Sequence, residues 1–242
     1  MMKKTPLSIF LFGFVFLASC SEPPVEQIKV TVPANIRVPE GMAYIPSGEF
    51  IMGHAEDPKT EGERKISLQA FLIDKYEVTH ERDRVFKQEH EFLSGKKKYP
   101  VTRVNYFQAK AFCKSEGNRL PTEMEWEKAA RGTDRRKWPW EKYYKHPNDG
   151  FSGFIPEEVD KRREWISPYG IYGMGHNVWE WTNDDYAYDG MREQDRGKFK
   201  AIRGGLLQTH LTIKFTPVYF RNWMEPEGAY NFIGFRCARD AG

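Results

Sequence analysis

Short apolar runs around a glycine predict two β-strands where the folded part of the chain begins. Residues 42–46 and 49–53 are the two runs, and Gly48 between them can adopt the positive φ that a tight turn needs. The pattern therefore predicts a hairpin. Apolar side chains then alternate with other residues over 66–72, which is the period of one further strand.

Three segments each begin with a residue that can cap a helix and end before a glycine. The pairs are Thr79 with Gly95, Asn105 with Gly117, and Thr122 with Gly132. The first helix is expected to run to about residue 93. The third has the clearest signal, because Glu125 follows Thr122 at the spacing of a capping box.

From residue 138 onward the chain is rich in turns and aromatic side chains, and its apolar runs are short. Long irregular segments with many aromatic residues favour an α+β fold with well-packed loops. The 242 residues are 40% hydrophobic and include 7 Trp, 12 Tyr and 17 Phe, which is enough for one sizeable globular domain. No repeat with a period of roughly 20–50 residues is visible, which disfavours solenoids and propellers.

Residues 1–19 have the pattern of a secretory signal: two lysines, a largely apolar stretch over 7–17, and small residues before Cys20. A helix over that stretch is roughly 16 Å long, whereas the hydrocarbon core of a bilayer is about 30 Å thick. The stretch is therefore expected to be removed rather than to stay as a membrane span. Without Lys3 and Lys4 the formal net charge falls from +3 to +1. So weak a basic character argues against nucleic-acid binding.

The end of this signal, Leu17-Ala18-Ser19-Cys20, resembles the lipobox of bacterial lipoproteins, in which cleavage precedes the cysteine and its thiol is diacylated. The resemblance implies that palmitate-like acyl chains on Cys20 hold the protein to a membrane, at about 0.8 kcal/mol for each buried CH₂. Residues 20–40 contain four prolines and are expected to be a tether to a domain over 41–242. An ordinary secretory signal with a chance cysteine is the alternative.

The residue after Cys20 is Ser21 rather than Asp. In lipoproteins of Gram-negative type this implies sorting to the outer membrane. The expected localisation is therefore the cell envelope, with the protein attached through its lipid.

Once Cys20 carries lipid, Cys113 and Cys237 remain as an even pair in an oxidising compartment. A bridge between them would contribute roughly 4–5 kcal/mol in the chain-entropy model, because the loop it closes is long. Two buried free thiols are the alternative. The histidines His80, His90 and His210 are interpreted as ordinary residues, since no HExxH, CxxC or GxSxG pattern occurs.

Several longer motifs follow one another along the chain. They are GMAYIPSGEFIMG, FLIDKYEVTHE, YPVTRVNYFQAKAFCKSEGNRLPTEMEWEKAARG, WPW, GIYGMGHNVWEWTND, IRGG and GFRCARD. Together they resemble the formylglycine-generating enzyme (sulfatase-modifying factor) family over about residues 41–240. The resemblance implies a single compact α+β domain that is similar to the C-type-lectin fold and rich in irregular loops. It also implies a disulfide between Cys113 and Cys237.

Members of this family oxidise a substrate cysteine to formylglycine with O₂ and a copper(I) ion, which two cysteines shortly after the RGG motif hold. Aligned from RGG without gaps, those two positions fall on Thr209 and Lys214. Cu(I) prefers soft thiolate ligands, and neither a hydroxyl nor an ammonium can replace them. The resemblance therefore implies a member without copper and without formylglycine generation.

The family also binds calcium through a loop before the NVWEW motif. A separate calcium site of the family uses an Asn in the loop after the WPW motif, and the resemblance gives Asn148 or Asp149 as its candidate ligand. In the loop before NVWEW the resemblance gives the carbonyl of Val178 and the carboxylate of Glu180 as candidate ligands, while Gly173 stands where an acidic or amide ligand is common. Calcium takes about 6–8 oxygens, so one lost side chain weakens the site. The alternative for Glu180 is a buried structural carboxylate bonded to backbone amides.

The residues His210, Arg221 and Trp223 lie in the stretch that lines the substrate groove of the family. The resemblance makes them candidates for holding a peptide or a small ligand, although Trp223 can equally be a core residue. The expected function is that of a lipid-anchored envelope protein that binds a peptide or an envelope protein without catalysis. An oxidoreductase of this family with other chemistry in the same groove and a structural part of a cell-surface machine are the alternatives.

Overall fold

The computed structural model describes residues 27–55, 62–87, 91–140, 156–205 and 216–242. Its strands are β1 (Met42–Ile45), β2 (Gly48–Met52), β3 (Arg64–Leu68), β4 (Phe71–Asp74), β5 (Trp179–Asp185), β6 (Lys200–Gly204), β7 (Asn222–Met224), β8 (Ile233–Gly234) and β9 (Ala238–Asp240). Its helices are α1 (His80–Phe86), α2 (Tyr106–Ser115) and α3 (Glu123–Arg131), with short 3-10 helices at Arg163–Trp165 and Glu193–Asp195. Short helices, short strands and long connections confirm the predicted α+β fold.

The described strands form three small sheets, with the orders β1-β4-β9, β2-β3 and β7-β6-β5-β8. In the largest sheet β5 runs antiparallel to β6 and parallel to β8. Helix α3 packs against β5 and β6 and also against β2. It therefore joins β2, in the first half of the chain, to the last sheet.

The hairpin predicted around Gly48 is wrong, because β1 and β2 do not pair with each other. Ile45 of β1 lies opposite Phe71, and Gly48 of β2 lies opposite Leu68. Both pairs keep the same antiparallel register, so β1–β2 and β3–β4 form one ribbon with a kink. Pro46 at this kink has no N–H for the ladder, and Gly48 has a φ of 125°.

The same kink divides the strand predicted over 66–72 into β3 and β4. A buried lysine stabilises the kink, because the ammonium of Lys128 donates to the carbonyl of Pro46 at 2.8 Å and to that of Gly48 at 2.9 Å. Burial lowers the pKa of Lys128. The Lys128 side chain on α3 thus supplies hydrogen bonds to carbonyl groups at the point where the strand pairing is interrupted.

Two of the three predicted helices are confirmed at both ends. Asn105 and Thr122 each complete a capping box, and Gly117 and Gly132 follow the helix ends with a φ of 71°. Helix α1 begins at the predicted cap, Thr79, but it ends at Phe86 rather than near residue 93.

The early end of α1 has a physical cause in its packing. Val85 is 84% exposed and Leu93 is 77% exposed, so a longer helix would have no apolar face against the core.

The main core lies between α2 and the largest sheet and contains the fully buried Trp181 and Phe235. The sulfur atoms of Cys113 and Cys237 lie 2.00 Å apart in this core, so the disulfide that the family resemblance implied is present. The alternative of two free thiols is wrong. The bridge connects α2 to the chain just before β9.

Residues 27–40 are part of the folded body rather than a tether. Val30, Ile36 and Val38 pack against a core cluster around Tyr44, and Ile28 donates a backbone hydrogen bond to Pro168 at 2.8 Å. The domain boundary expected at residue 41 therefore moves toward the N-terminus, because these apolar side chains have a core surface to cover. Within the described ranges no helix has the length and apolar character to cross a bilayer.

Candidate functional site

A set of buried charges on α3 holds the strand that carries the RGG motif. The guanidinium of Arg203 on β6 is fully buried and reaches Glu123 at 3.1 Å and Glu127 at 2.5 Å. Glu127 also accepts from Arg131, one turn further along the helix, at 2.8 Å. Glu123 accepts two hydrogen bonds from Arg221, at 2.6 and 2.8 Å. These five residues are called the α3 network.

The charges of the α3 network compensate one another inside the protein. Burial alone would raise the pKa of Glu123, but its hydrogen bond with Arg221 and the charge of Arg203 lower that pKa below its ordinary value. The carboxylate of Glu123 is therefore ionised at neutral pH. A buried pair of this kind is strongly destabilised when one partner is removed, since the other charge is left without compensation.

The structure uses the guanidinium of Arg221 within the fold instead of presenting it to a ligand. Arg221 is 9% exposed, binds both oxygens of Glu123, and donates to the backbone carbonyl of Ala187 at 3.0 Å. It also lies over the ring of Tyr186 at 5.0 Å. The expectation that Arg221 binds a ligand in a groove is therefore corrected, because its donors are committed to neighbours.

Trp223 behaves differently and is not a core residue. It is 41% exposed on β7, an edge strand of the largest sheet among the described residues. Its ring packs on Phe199 at 4.3 Å between centroids, and Tyr188 nearby is 44% exposed. Tyr188, Phe199 and Trp223 are called the edge aromatic surface, and they give the domain an apolar patch beside β7, which has no second strand partner among the described residues.

The first glycine of the RGG motif is required by close packing. Gly204 has a φ of 101°, and a Cβ there would lie 3.0 Å from the carbonyl oxygen of Val178. Arg203 immediately before it points into the α3 network. The motif therefore fixes the end of β6.

Several predicted site residues lie outside the described residues. They are Cys20, Asn148, Asp149, Thr209, His210 and Lys214. Their assignments stay predictions. Of the described cysteines, Cys113 and Cys237 share the disulfide, so neither supplies a thiolate for Cu(I). The sulfur donors of the described chain thus do not fit the copper ion of the family.

Glu180 forms a second buried charge cluster, with Arg236 and Glu77. Arg236 donates to the two oxygens of Glu180 at 2.7 Å each, and Trp126 donates its indole N–H to the same carboxylate at 2.9 Å. Arg236 also lies 4.0 Å from Glu77, and all three charged side chains are fully buried. Glu77, Glu180 and Arg236 are called the β5 network.

This arrangement corrects the assignment of Glu180 as a calcium ligand. Both carboxylate oxygens already bind a guanidinium, and a calcium ion would bring a second positive charge into contact with it. The carbonyl of Val178 packs against Gly204. Glu180 matches the alternative of a buried structural carboxylate, with side-chain donors in place of backbone amides. No group of three or more His, Cys, Asp or Glu that could hold a metal is found in the part of the chain that the structure describes.

Glu77 occupies the space that a side chain at position 173 would need. A Cβ on Gly173 would lie 2.3 Å from Oε1 of Glu77. That oxygen accepts from Asn177 at 3.0 Å, whereas Oε2 has no hydrogen-bond partner among the residues that the structure describes. Burial raises the pKa of Glu77 to about 7, against the attraction of Arg236 and with the repulsion of Glu180. The carboxyl group therefore changes charge near neutral pH.

A cavity of about 510 Å³ opens beside the start of α1, with Asp74, Tyr76, Arg82 and Glu116 among its walls. Arg82 donates to Asp74 at 2.7 Å and also pairs with Glu116. Its charge is thus compensated by two carboxylates inside the wall. The cavity offers a ligand polar surface but no uncompensated charge from this arginine.

The sequence pattern does not predict the buried charges that organise both networks. Glu77, Glu123 and Arg203 are polar residues, and hydrophobic periodicity assigns such residues to the surface. One signal was present: Arg203 and Arg236 stand inside otherwise apolar strand-like runs. An arginine at such a position indicates a buried ion pair, although its partner cannot be read from spacing.

Comparisons with known proteins identify the family to which the chain is similar. The family profile "Sulfatase-modifying factor enzyme 1-like domain" matches residues 29–241. YfmG of Bacillus subtilis is 26% identical over an alignment that covers 83% of this chain and 54% of that protein, so the chain spans about half the length of this relative. The Bos taurus protein named "Inactive C-alpha-formylglycine-generating enzyme 2" is 26% identical, with 83% of this chain and 88% of that protein covered.

Solved structures show the same fold. "Treponema denticola variable protein 1" superposes with a TM-score of 0.68 at 24% identity, covering 82% of this chain and 94% of that one. PvdO from Pseudomonas aeruginosa superposes with a TM-score of 0.63 at 22% identity, covering 87% and 100%. With the family profile extending over almost the whole described fold, the chain belongs to the family of proteins with a sulfatase-modifying factor enzyme 1-like domain.

Proposed function

We propose that this protein is attached to a membrane of the cell envelope by a lipid on Cys20 and that its domain binds a peptide or protein partner without oxidising it. The observation that carries the proposal is the state of its sulfur atoms. The chain has three cysteines, of which Cys113 and Cys237 form the disulfide and Cys20 lies at the end of the signal sequence. Formylglycine generation by copper requires two further thiolates near the RGG motif.

The binding role is supported by the edge aromatic surface. An exposed Trp and Tyr beside a strand that lacks a second partner within the described ranges offer flat apolar contacts together with backbone hydrogen-bonding groups. Large aromatic side chains dominate the energy of many protein interfaces. The α3 network anchors β6, which pairs with β7, so this surface rests on a rigid part of the fold. The name of the Bos taurus relative gives a precedent for a family member without the enzymatic activity.

Copper binding and O₂ consumption test this proposal. The lipidated protein is purified in detergent, supplied with Cu(I), and incubated with a cysteine-containing peptide while O₂ uptake is recorded. We expect no stoichiometric copper and no peptide-dependent uptake. One bound copper ion per chain together with oxidation of the peptide cysteine would overturn the non-catalytic assignment and restore an oxidase.

A double variant provides the matched control. Thr209→Cys combined with Lys214→Cys restores two thiols at the positions of the family's cysteine pair. We expect this variant to bind Cu(I) while the unaltered protein does not, which would show that the copper chemistry is limited by the missing sulfur. If neither protein binds Cu(I), Thr209 and Lys214 do not stand at the positions of the family's copper-binding cysteines, which contradicts the ungapped alignment.

The lipid is tested separately. Intact mass of the membrane-extracted protein is expected to show acyl chains on a chain that starts at Cys20. A Cys20→Ala variant is expected to lose that mass. An unmodified Cys20 in the purified protein would contradict the anchoring part of the proposal and leave the binding part to be judged by the copper experiment.

A further inference from the structure

The described chain enters the folded body at the C-terminal end of α3. The backbone N–H of Ile28 donates to Pro168 at 2.8 Å, and a Cβ on Gly132 would lie 3.1 Å from the side chain of Ile28. Ile28 is 38% exposed, and Gln27 and Lys29 beside it are also exposed. Gln27, Ile28 and Lys29 are called the entry face.

The edge aromatic surface is connected to the other end of the same helix. Glu123, the first residue of α3, binds Arg221, and Arg221 reaches the carbonyl of Ala187 next to Tyr188. A helix of nine residues is about 14 Å long at 1.5 Å per residue. The entry face and the edge aromatic surface therefore lie toward opposite ends of α3.

The short length of chain before the entry face limits how the domain can be placed on a membrane. Seven peptide units separate Cys20 from Gln27, and at about 3.6 Å each they reach at most about 25 Å in any conformation. A domain of about 215 residues has a radius of gyration near 17 Å, which corresponds to a body roughly 44 Å across. The entry face cannot be on the far side of the domain from a lipid at Cys20, because the chain would not reach.

We propose that the entry face lies toward the headgroup layer of the anchoring membrane and that the edge aromatic surface is held away from it. This inference rests on the lipid at Cys20 of the proposed function. Its chemistry is consistent, since Ile28 and Val32 are partly exposed apolar residues and Lys29 suits anionic headgroups. The edge aromatic surface then meets a partner that comes from the aqueous phase and not from the lipid of the same membrane.

Two variants, each with one added cysteine, test the orientation by fluorescence energy transfer. Thr133→Cys places a thiol next to Gly132, and Asp189→Cys places one next to Tyr188; both positions are exposed. Because the native cysteines are acylated or bridged, the added cysteine is the reactive thiol. The lipidated full chain is reconstituted in vesicles of phosphatidylcholine and phosphatidylglycerol that carry a headgroup acceptor dye, and the thiol is labelled with an impermeant donor.

We expect at least a two-fold higher transfer efficiency from position 133 than from position 189. Equal efficiencies or a higher value at 189 would overturn the orientation. Unchanged melting temperatures of both variants show that they are folded. Intact mass distinguishes a failure of the lipid anchor from a failure of the orientation. Missing acyl chains contradict both the anchor and the orientation. Acylated protein with reversed transfer efficiencies contradicts the orientation alone.

Discussion

Arg236 and Glu180 form a fully buried ion pair in which two nitrogens of the guanidinium donate to the two carboxylate oxygens at 2.7 Å each. A third nitrogen contact, to the backbone carbonyl of Asp74 at 3.1 Å, extends the arginine to β4. One side chain thus joins the NVWEW strand, the GFRC segment and the first sheet. The charged residues of these two motifs are explained by this structural link, without a ligand.

Removing Glu180 is expected to destabilise the fold strongly. Glu180→Ala leaves the guanidinium of Arg236 buried without its bidentate partner and with the carboxylate of Glu77 at 4.0 Å, and losing one partner of a buried pair costs about 3–5 kcal/mol. The free energy of unfolding from urea titration measures this. Glu49→Ala is the matched control, since Glu49 pairs with Lys65 on the surface, where such pairs contribute about 0–1 kcal/mol. Equal losses in the two variants would contradict the structural role.

Calcium is not expected to stabilise the protein through Glu180. Both oxygens of this carboxylate are held by Arg236, so any change in melting temperature that millimolar calcium or a chelator produces should not depend on Glu180. Differential scanning fluorimetry of the unaltered protein and of Glu180→Gln measures this. A calcium-dependent rise in the melting temperature that disappears in Glu180→Gln would show that the carboxylate does bind the ion.

The pH dependence of stability should carry the signature of Glu77. Its folded pKa is about 7 and its ordinary value is 4.5, so its contribution is fully present below pH 4.5 and is lost as the pH rises toward 7. Between these limits the unaltered protein should lose roughly 3 kcal/mol more than Glu77→Gln, which cannot ionise. Taking the difference between the two proteins removes the opposite contribution of His176, whose pKa burial lowers to about 3. Parallel pH profiles would contradict this assignment.

Replacing Gly173 should lower the free energy of unfolding by more than its positive φ alone explains. Gly173→Ala combines a φ of 76° with a Cβ only 2.3 Å from Glu77. Gly117→Ala is the control, because its φ is 71° and a Cβ there has open space, so it should lose about 1–2 kcal/mol. We expect Gly173→Ala to lose about 1–3 kcal/mol of stability more than this control, because the added Cβ overpacks against Glu77.

A second change identifies the source of that additional cost. In a Glu77→Ala background the contact is gone, so Gly173→Ala should fall to the level of the Gly117 control. Denaturant unfolding of the four proteins of this cycle provides the coupling energy. A coupling near zero would mean that another neighbour, and not Glu77, requires glycine at position 173.

The disulfide should contribute a large part of the stability. Cys113 and Cys237 are separated by 124 residues, and the loop entropy removed from the unfolded chain predicts a loss of about 2–5 kcal/mol in the Cys113→Ala, Cys237→Ala double variant. Chemical denaturation with and without reductant measures it. The double variant should be insensitive to reductant. Equal stability of bridged and unbridged protein would contradict the loop-entropy argument.

Features that depend on neighbours along the chain could be predicted from the amino-acid order alone. The caps at Asn105 and Thr122, and the glycines after both helices, follow from local hydrogen bonds and backbone angles. The resemblance of the motifs to a known family also implied the fold class and the pairing of Cys113 with Cys237, which spacing along the chain does not show.

Tertiary structure decided what distant residues do to one another. It joined β1 to β4 instead of β2, ended α1 where no core remained to cover, and packed residues 27–40 onto the body. It also turned Arg221 and Glu180 inward. The physical reason is that a charge can be buried only beside a compensating charge, and the partners of these two residues stand 98 and 56 positions away in the chain.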